Sequence, residues 1–214
     1  MTSTVLRTEN SRFNRVALLQ IDELRPHEKG SPVYLELLRR EILRDGKLRY
    51  PIIADEKTRV ILDGMHRWLA LKSIGCKSIP VLLVDVFQKP AIRVGRKRIH
   101  QYMSDSIEEI TVQRVISAGL GGQLMEPRTT KHFFPFSKHR LINYPLSLLK
   151  KGVPSDVSSY LSKESDEEGS IAIKRWLEEI SEELDFLTKK KAEVEKEKEE
   201  FLNRVKSLGS FPTF

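Results

Sequence analysis

"VILDGMHRWLALKSIGCKSIPVLLVDV", residues 60–86, is the stretch from which the fold can be read. The apolar run Val60-Ile61-Leu62 stops at Asp63-Gly64. His66 and Arg67 then open a segment in which Trp68, Leu69, Leu71 and Ile74 are available for burial at helical spacing, and Gly75 stops it. "SIPVLLVDVF" follows as a near-continuous apolar run, which predicts a central strand covered on both faces. The junction asks a chemical question, because a turn needs only the Asp-Gly. A helix N-terminus has free backbone N–H groups and a positive dipole end, so it binds phosphate readily. Gly64 permits a sharp turn and close approach of an anion. Arg67 can offer a bidentate fork, and His66 a further donor. Asp63 would repel a phosphate unless it caps the helix or helps hold Mg²⁺. From these residues alone, phosphate binding stands level with an ordinary Asp-Gly turn carrying a solvent-facing His-Arg pair.

Working outward, "NRVALLQIDEL" (14–24) reads as a strand and a turn. Ser31 then Pro32 is an N-cap followed by a first-turn proline. Leu35, Leu38 and Ile42 continue that helix to Gly46, and "YPIIAD" and "RVILDG" are strands around "EKT". The result is an α+β core within residues 1–90. Residues 91–150 are irregular, with a basic "VGRKRIHQYMS" and a loop-like "GGQLMEPRTTKHFFPFSKHR", and are expected to complete the domain. Residues 151–170 read as a polar linker. Over 171–208, Ile173, Ile180, Leu187, Val194, Phe201 and Leu208 recur every seventh residue, with Leu177, Leu184 and Val205 at the second heptad position. Lys191 and Lys198 break that seam. This predicts a long amphipathic helix that either self-associates, as in a homodimer, or packs back on the body.

Composition narrows the partners. The chain has 214 residues and a net charge of +7. Residues 151–214 hold 11 Lys and Arg against 15 Asp and Glu, a net −4, so the first 150 residues carry +11. A basic body favours an anionic partner such as a nucleotide or nucleic acid. No stretch is apolar enough to span a membrane, and the first fifteen residues lack the apolar core of a signal peptide, so a cytoplasmic protein is expected. The single cysteine, Cys76, allows no internal disulfide and reads as a packing residue.

Three short motifs carry a resemblance: His27-Glu28, Asp63-Gly64-Met65-His66-Arg67 and Thr129-Thr130-Lys131-His132. Their types and order resemble the free L-serine kinases of the ParB/sulfiredoxin superfamily over residues 14–145. Met65 stands where sulfiredoxins need a reactive cysteine. The Gly-Glu-Arg of partition proteins is replaced by Gly64-Met65-His66. The resemblance implies a ParB/sulfiredoxin-like nuclease fold and transfer of a phosphoryl group from ADP or ATP, with Mg²⁺, to free L-serine, giving O-phospho-L-serine for cysteine biosynthesis. By position it implies Glu28 as catalytic base, with Asp63 as second catalytic carboxylate and metal ligand. It places the nucleotide on Gly64, Met65, His66 and Arg67, and serine on Thr130 and His132. The aromatic residue expected after the last core strand has no counterpart in "AIRVGRKRIH". The chemistry is coherent: a serine hydroxyl needs a carboxylate to take its proton, and the phosphoryl oxygens need cations and N–H donors. The rival is a ParB-like DNA-binding or regulatory nucleotide-binding module, favoured by the basic body and by Arg93, Arg96, Lys97 and Arg98. The absence of a helix-turn-helix pattern makes nucleic acid the weaker expectation. A heme- or ligand-sensing regulator on the same fold is neither supported nor excluded by the five histidines.

Overall fold

The computed structural model describes residues 16–87, 92–96, 110–127, 129–163 and 166–207. The N-terminal segment before Val16, the basic pair Lys97-Arg98 and the last heptad residue Leu208 lie outside them. A four-stranded sheet has the order β1 (Val16–Gln20), β5 (Ser78–Val84), β3 (Ile52–Asp55), β4 (Ile61–Asp63). β5 runs antiparallel to β1 and parallel to β3, while β3 and β4 form an antiparallel hairpin. The long apolar run therefore lies inside the sheet, as its composition predicts.

Strand alternation divides the core in two. Ile52, Ala54, Ile61, Ile79 and Val81 face α1 (Pro32–Asp45) and α2 (Met65–Ile74), together with Trp68, Leu69 and Leu71. Ile53, Val60, Leu62, Leu82 and Val84 face the other way, against Val115 and Ile116 of α3 (Val112–Gly121). Each such large side chain, once fully buried, adds roughly 1.5–3 kcal/mol. Trp68 is fully buried, and its indole N–H donates to the Ile21 carbonyl (2.9 Å), so its polar atom carries no desolvation debt. Ser31 caps α1 by accepting from the Tyr34 amide, with Pro32 in the first turn and Gly46 at the C-cap.

Two short pairings complete this body. β2 (Lys47–Leu48) pairs with β8 (Tyr144–Pro145), which leads into α4 (Leu146–Leu149). β6 (Arg93–Arg96) pairs antiparallel with β7 (Thr130–Phe133). The loop-like reading of the segment from Gly121 is therefore corrected at Thr130–Phe133. The pairing partner lies more than thirty residues upstream, beyond the reach of local pattern.

The 151–170 segment is not a free linker over its described first part. Val157 is buried, Tyr160 sits edge-on to Trp68 (5.1 Å between ring centroids), and Leu161 bridges to Gly30. Its polar composition hid a short apolar cluster, Val157, Tyr160 and Leu161. The body extends to Gly169, and a second unit begins at Ser170. α5 (Asp166–Ser207) is a single 42-residue helix on which Leu177, Leu184, Val194 and Phe201 are exposed. Among the described residues no helix is long and apolar enough to cross a membrane.

Candidate active site

The site is assembled by three segments. The first is the loop His27–Gly30. It is zipped to the loop that follows α3 by Met125 N–H to His27 O (2.9 Å) and Lys29 N–H to Met125 O (2.8 Å). It is pressed against α2 because Gly30 has no side chain. A Cβ there would stand 2.3 Å from Leu69 Cδ1. Ser31 N–H donates to His66 Nε2 (2.9 Å), which ties this loop to the first turn of α2.

The second segment is the strand-to-helix junction. Gly64 occupies the N-cap at φ 94° and supplies no capping side chain. The backbone angle is what demands glycine here; a Cβ would meet the Arg67 guanidinium at 2.8 Å, the movable end of a flexible side chain. Asp63 does not cap the helix. Its carboxylate holds Arg67 Nη2 (2.5 Å) and Lys138 Nζ (3.4 Å). Burial pushes the Asp63 carboxyl upward, but Arg67 and Lys138 outweigh it and hold it below the usual carboxylate range. Arg67 also donates to the Pro51 carbonyl. The fork is thus folded back over Gly64. His66 accepts from Ser31 through Nε2, and its ring lies edge-on to Tyr34 (4.7 Å), so here it ties loop to helix. The Met65 side chain is buried in the core, so its backbone N–H is the group it offers at the helix start.

The third segment is β7 with the loop that follows. Thr130 is buried, and its hydroxyl lies 2.9 Å from His27 Nε2 and 3.2 Å from Glu28 Oε2. His132 stands edge-on to His27 (5.5 Å) and stacks on Phe134 (6.1 Å). Its Nε2 is buried without a hydrogen-bond partner among the described residues. Burial drives the His132 pKa down to about 3, with His27 adding to the effect, so the ring is neutral. A neutral imidazole offers a substrate a hydrogen bond, not the cation that a serine carboxylate would prefer.

Glu28, His27, Thr130 and His132, drawn from segments a hundred residues apart, therefore meet beside the α2 N-terminus. Lys138 is the functional candidate that sequence reading passed over. Its only local signal was the basic, aromatic richness of "FPFSKHR". For Mg²⁺, the residues do not make a resident site: among the described residues no three His, Cys, Asp or Glu side chains gather as ligands. Asp63 is a single carboxylate already facing two cations.

Among solved structures, a free serine kinase in complex with AMP superimposes with a TM-score of 0.54 at 15% identity, covering 65% of this chain and 95% of that one. The chain has the fold of the free serine kinase family. Sequence similarity to curated proteins extends over a shorter stretch. An ATP-dependent L-serine kinase of Staphylothermus marinus is 34% identical over 76 residues, covering 34% of this chain and 30% of that protein. A ParB-like protein of Sulfolobus acidocaldarius is 43% identical over 65 residues, covering 29% and 31%. The aligned segment thus spans about a third of these curated relatives' length. No family model matches the chain.

Proposed function

We propose that this chain is a free-serine kinase that moves a phosphoryl group from ADP or ATP to the L-serine hydroxyl, giving O-phospho-L-serine. The observation that carries the reading is Glu28: a carboxylate only 12% exposed, hydrogen-bonded to Thr130 and tied through Ser31 and His66 to the uncapped N-terminus of α2. A shielded carboxylate beside an anion-binding helix end is what phosphoryl transfer to an alcohol requires.

In this reading the nucleotide phosphates lie on the first-turn N–H groups of α2, with Arg67 turned outward from Asp63 and Lys138 beside it. Glu28 takes the hydroxyl proton as the serine O–P bond forms and the bond from phosphorus to the nucleotide oxygen breaks. The charge on the phosphoryl oxygens is met by fixed donors, where such stabilisation is largest. Mg²⁺ would arrive with the nucleotide, and Asp63, at the strand-to-helix junction, is the carboxylate assigned to meet it. ADP and ATP present the same terminal diphosphate to this junction, so both are assigned as donors. We place the reaction in the cytoplasm, where nucleotides are abundant, and its product in cysteine biosynthesis.

Incubation with L-serine, Mg²⁺ and each nucleotide tests the reading: phosphoserine should form in step with loss of one phosphate from the donor. Within that assay His132→Ala should raise the serine KM at least tenfold and leave nucleotide affinity within about twofold, because the orphaned Nε2 is reserved for the acceptor. A loss of nucleotide affinity instead would move His132 to the donor side. The second reading, a ParB-like DNA-binding module, is favoured by the +11 charge of the first 150 residues. It would show salt-dependent duplex binding and no phosphoserine.

The heptad-spaced residues exposed on α5 support pairing with a second copy. Truncation after Ser170 should then lower the number of chains per particle, read by light scattering against the monomer mass, and leave turnover per site unchanged. An unchanged number of chains per particle rejects the pairing.

A further inference from the structure

We propose that Thr130 acts on the base and not on serine: its hydroxyl is a positioning link that joins Glu28 to His27 and completes a hydrogen-bond chain when Glu28 takes a proton. The inference rests on the kinase reading and deepens it. The geometry starts at the Ile61 carbonyl, which lies 2.6 Å from His27 Nδ1. A carbonyl only accepts, so Nδ1 carries the proton. His27 is 2% exposed, and burial lowers its pKa to about 4, so the ring is neutral and Nε2 is a bare acceptor. Among the described residues the hydroxyl that serves Nε2 is that of Thr130, at 2.9 Å. The same hydroxyl is 3.2 Å from Glu28 Oε2. One hydroxyl proton thus faces two acceptors and can satisfy only one at a time.

Proton uptake by Glu28 removes this shortage. When the serine hydroxyl gives its proton to the carboxylate, Glu28 Oε2–H donates to Thr130 Oγ. Thr130 O–H then donates to His27 Nε2, and His27 Nδ1–H already donates to Ile61. Every proton in the line has an acceptor and every acceptor a proton. Nothing is oxidised or reduced, and the proton that leaves serine remains on Glu28. The chain favours the state that the transfer produces, and it aims one carboxylate oxygen. It also leaves Thr130 without a spare proton for the serine carboxylate, which falls to His132 and to groups brought by the substrate.

The test is a KM-against-kcat split in the full chain. Thr130→Val keeps the shape and removes the hydroxyl. It should lower kcat about tenfold, the worth of one such hydrogen bond, while the serine and nucleotide KM stay within about twofold. Thr130→Ser should restore most of the rate. A serine KM that rises with kcat intact overturns the proposal and returns Thr130 to the substrate, as does an unchanged Thr130→Val. The ¹⁵N signal of His27 Nε2 reports the link without turnover: it should move in Thr130→Val and return in Thr130→Ser, and a signal that does not move refutes the link. A wild-type chain that makes no phosphoserine refutes the kinase reading and the catalytic use of the link together. Active wild type with an indifferent Thr130→Val refutes the link alone.

Discussion

Glu28→Gln should cut phosphoserine formation by roughly 10²–10⁴-fold, the range of a general-base contribution, while nucleotide binding survives. Gln is nearly isosteric. The loop is held by backbone bonds of His27 and Lys29 to Met125 and by the fit of Gly30 on Leu69, none of which uses the carboxylate. The amide can still accept from Thr130, but it cannot take the serine proton. Nucleotide affinity should hold or rise slightly, because one negative charge near the phosphates is gone. Single-turnover phosphoserine assays alongside calorimetric nucleotide titration check both halves. Near-normal turnover would remove Glu28 as base and turn attention to Asp63. Asp63 is the poorer candidate base, since it is paired with Arg67 and Lys138, which hold its carboxyl below the usual carboxylate range.

Arg67→Ala should lower kcat/KM for the nucleotide by roughly 10²-fold, as expected for loss of a fixed donor to developing phosphoryl charge. Arg67→Lys should recover only part, because an ammonium cannot reproduce the fork. The structure adds a second consequence. Arg67 is also one of the two cations that depress the Asp63 carboxyl. A depressed carboxyl stabilises the fold above its unfolded pKa, and that contribution is lost as pH falls through its folded value. Removing Arg67 narrows that window, so Arg67→Ala should unfold at a higher pH in an acid titration, and Asp63→Asn/Arg67→Ala should regain part of the loss. Unchanged nucleotide affinity and rate in Arg67→Ala would leave Arg67 with the Asp63 pairing alone, as an ordinary helix start.

The core was legible in the sequence because its information is local. The apolar run at Ile79–Leu83 demands two covered faces, Ser31-Pro32 starts a helix wherever it lies, and Gly64 and Gly75 mark the ends of α2. Those periods and caps operate within one or two turns of chain, and the observed sheet order β1-β5-β3-β4 with β5 inside agrees with them. The three motifs that make up the site were also visible, since each is a short run of unusual side chains.

What those side chains do was decided elsewhere. Arg67 folds onto Asp63 and Pro51, His66 Nε2 accepts from Ser31, and Met65 turns into the core. Thr130 meets His27 and Glu28 across a hundred residues of chain, and Lys138 reaches Asp63 from a loop that carried no motif. A motif names the groups available, but a buried donor and acceptor are assigned only when the chain closes around them. Burial then makes an unpaired polar atom costly, and so selects which partner each group takes. Local sequence determined the elements and the inventory of the site, while the tertiary structure alone decided which proton faces which acceptor.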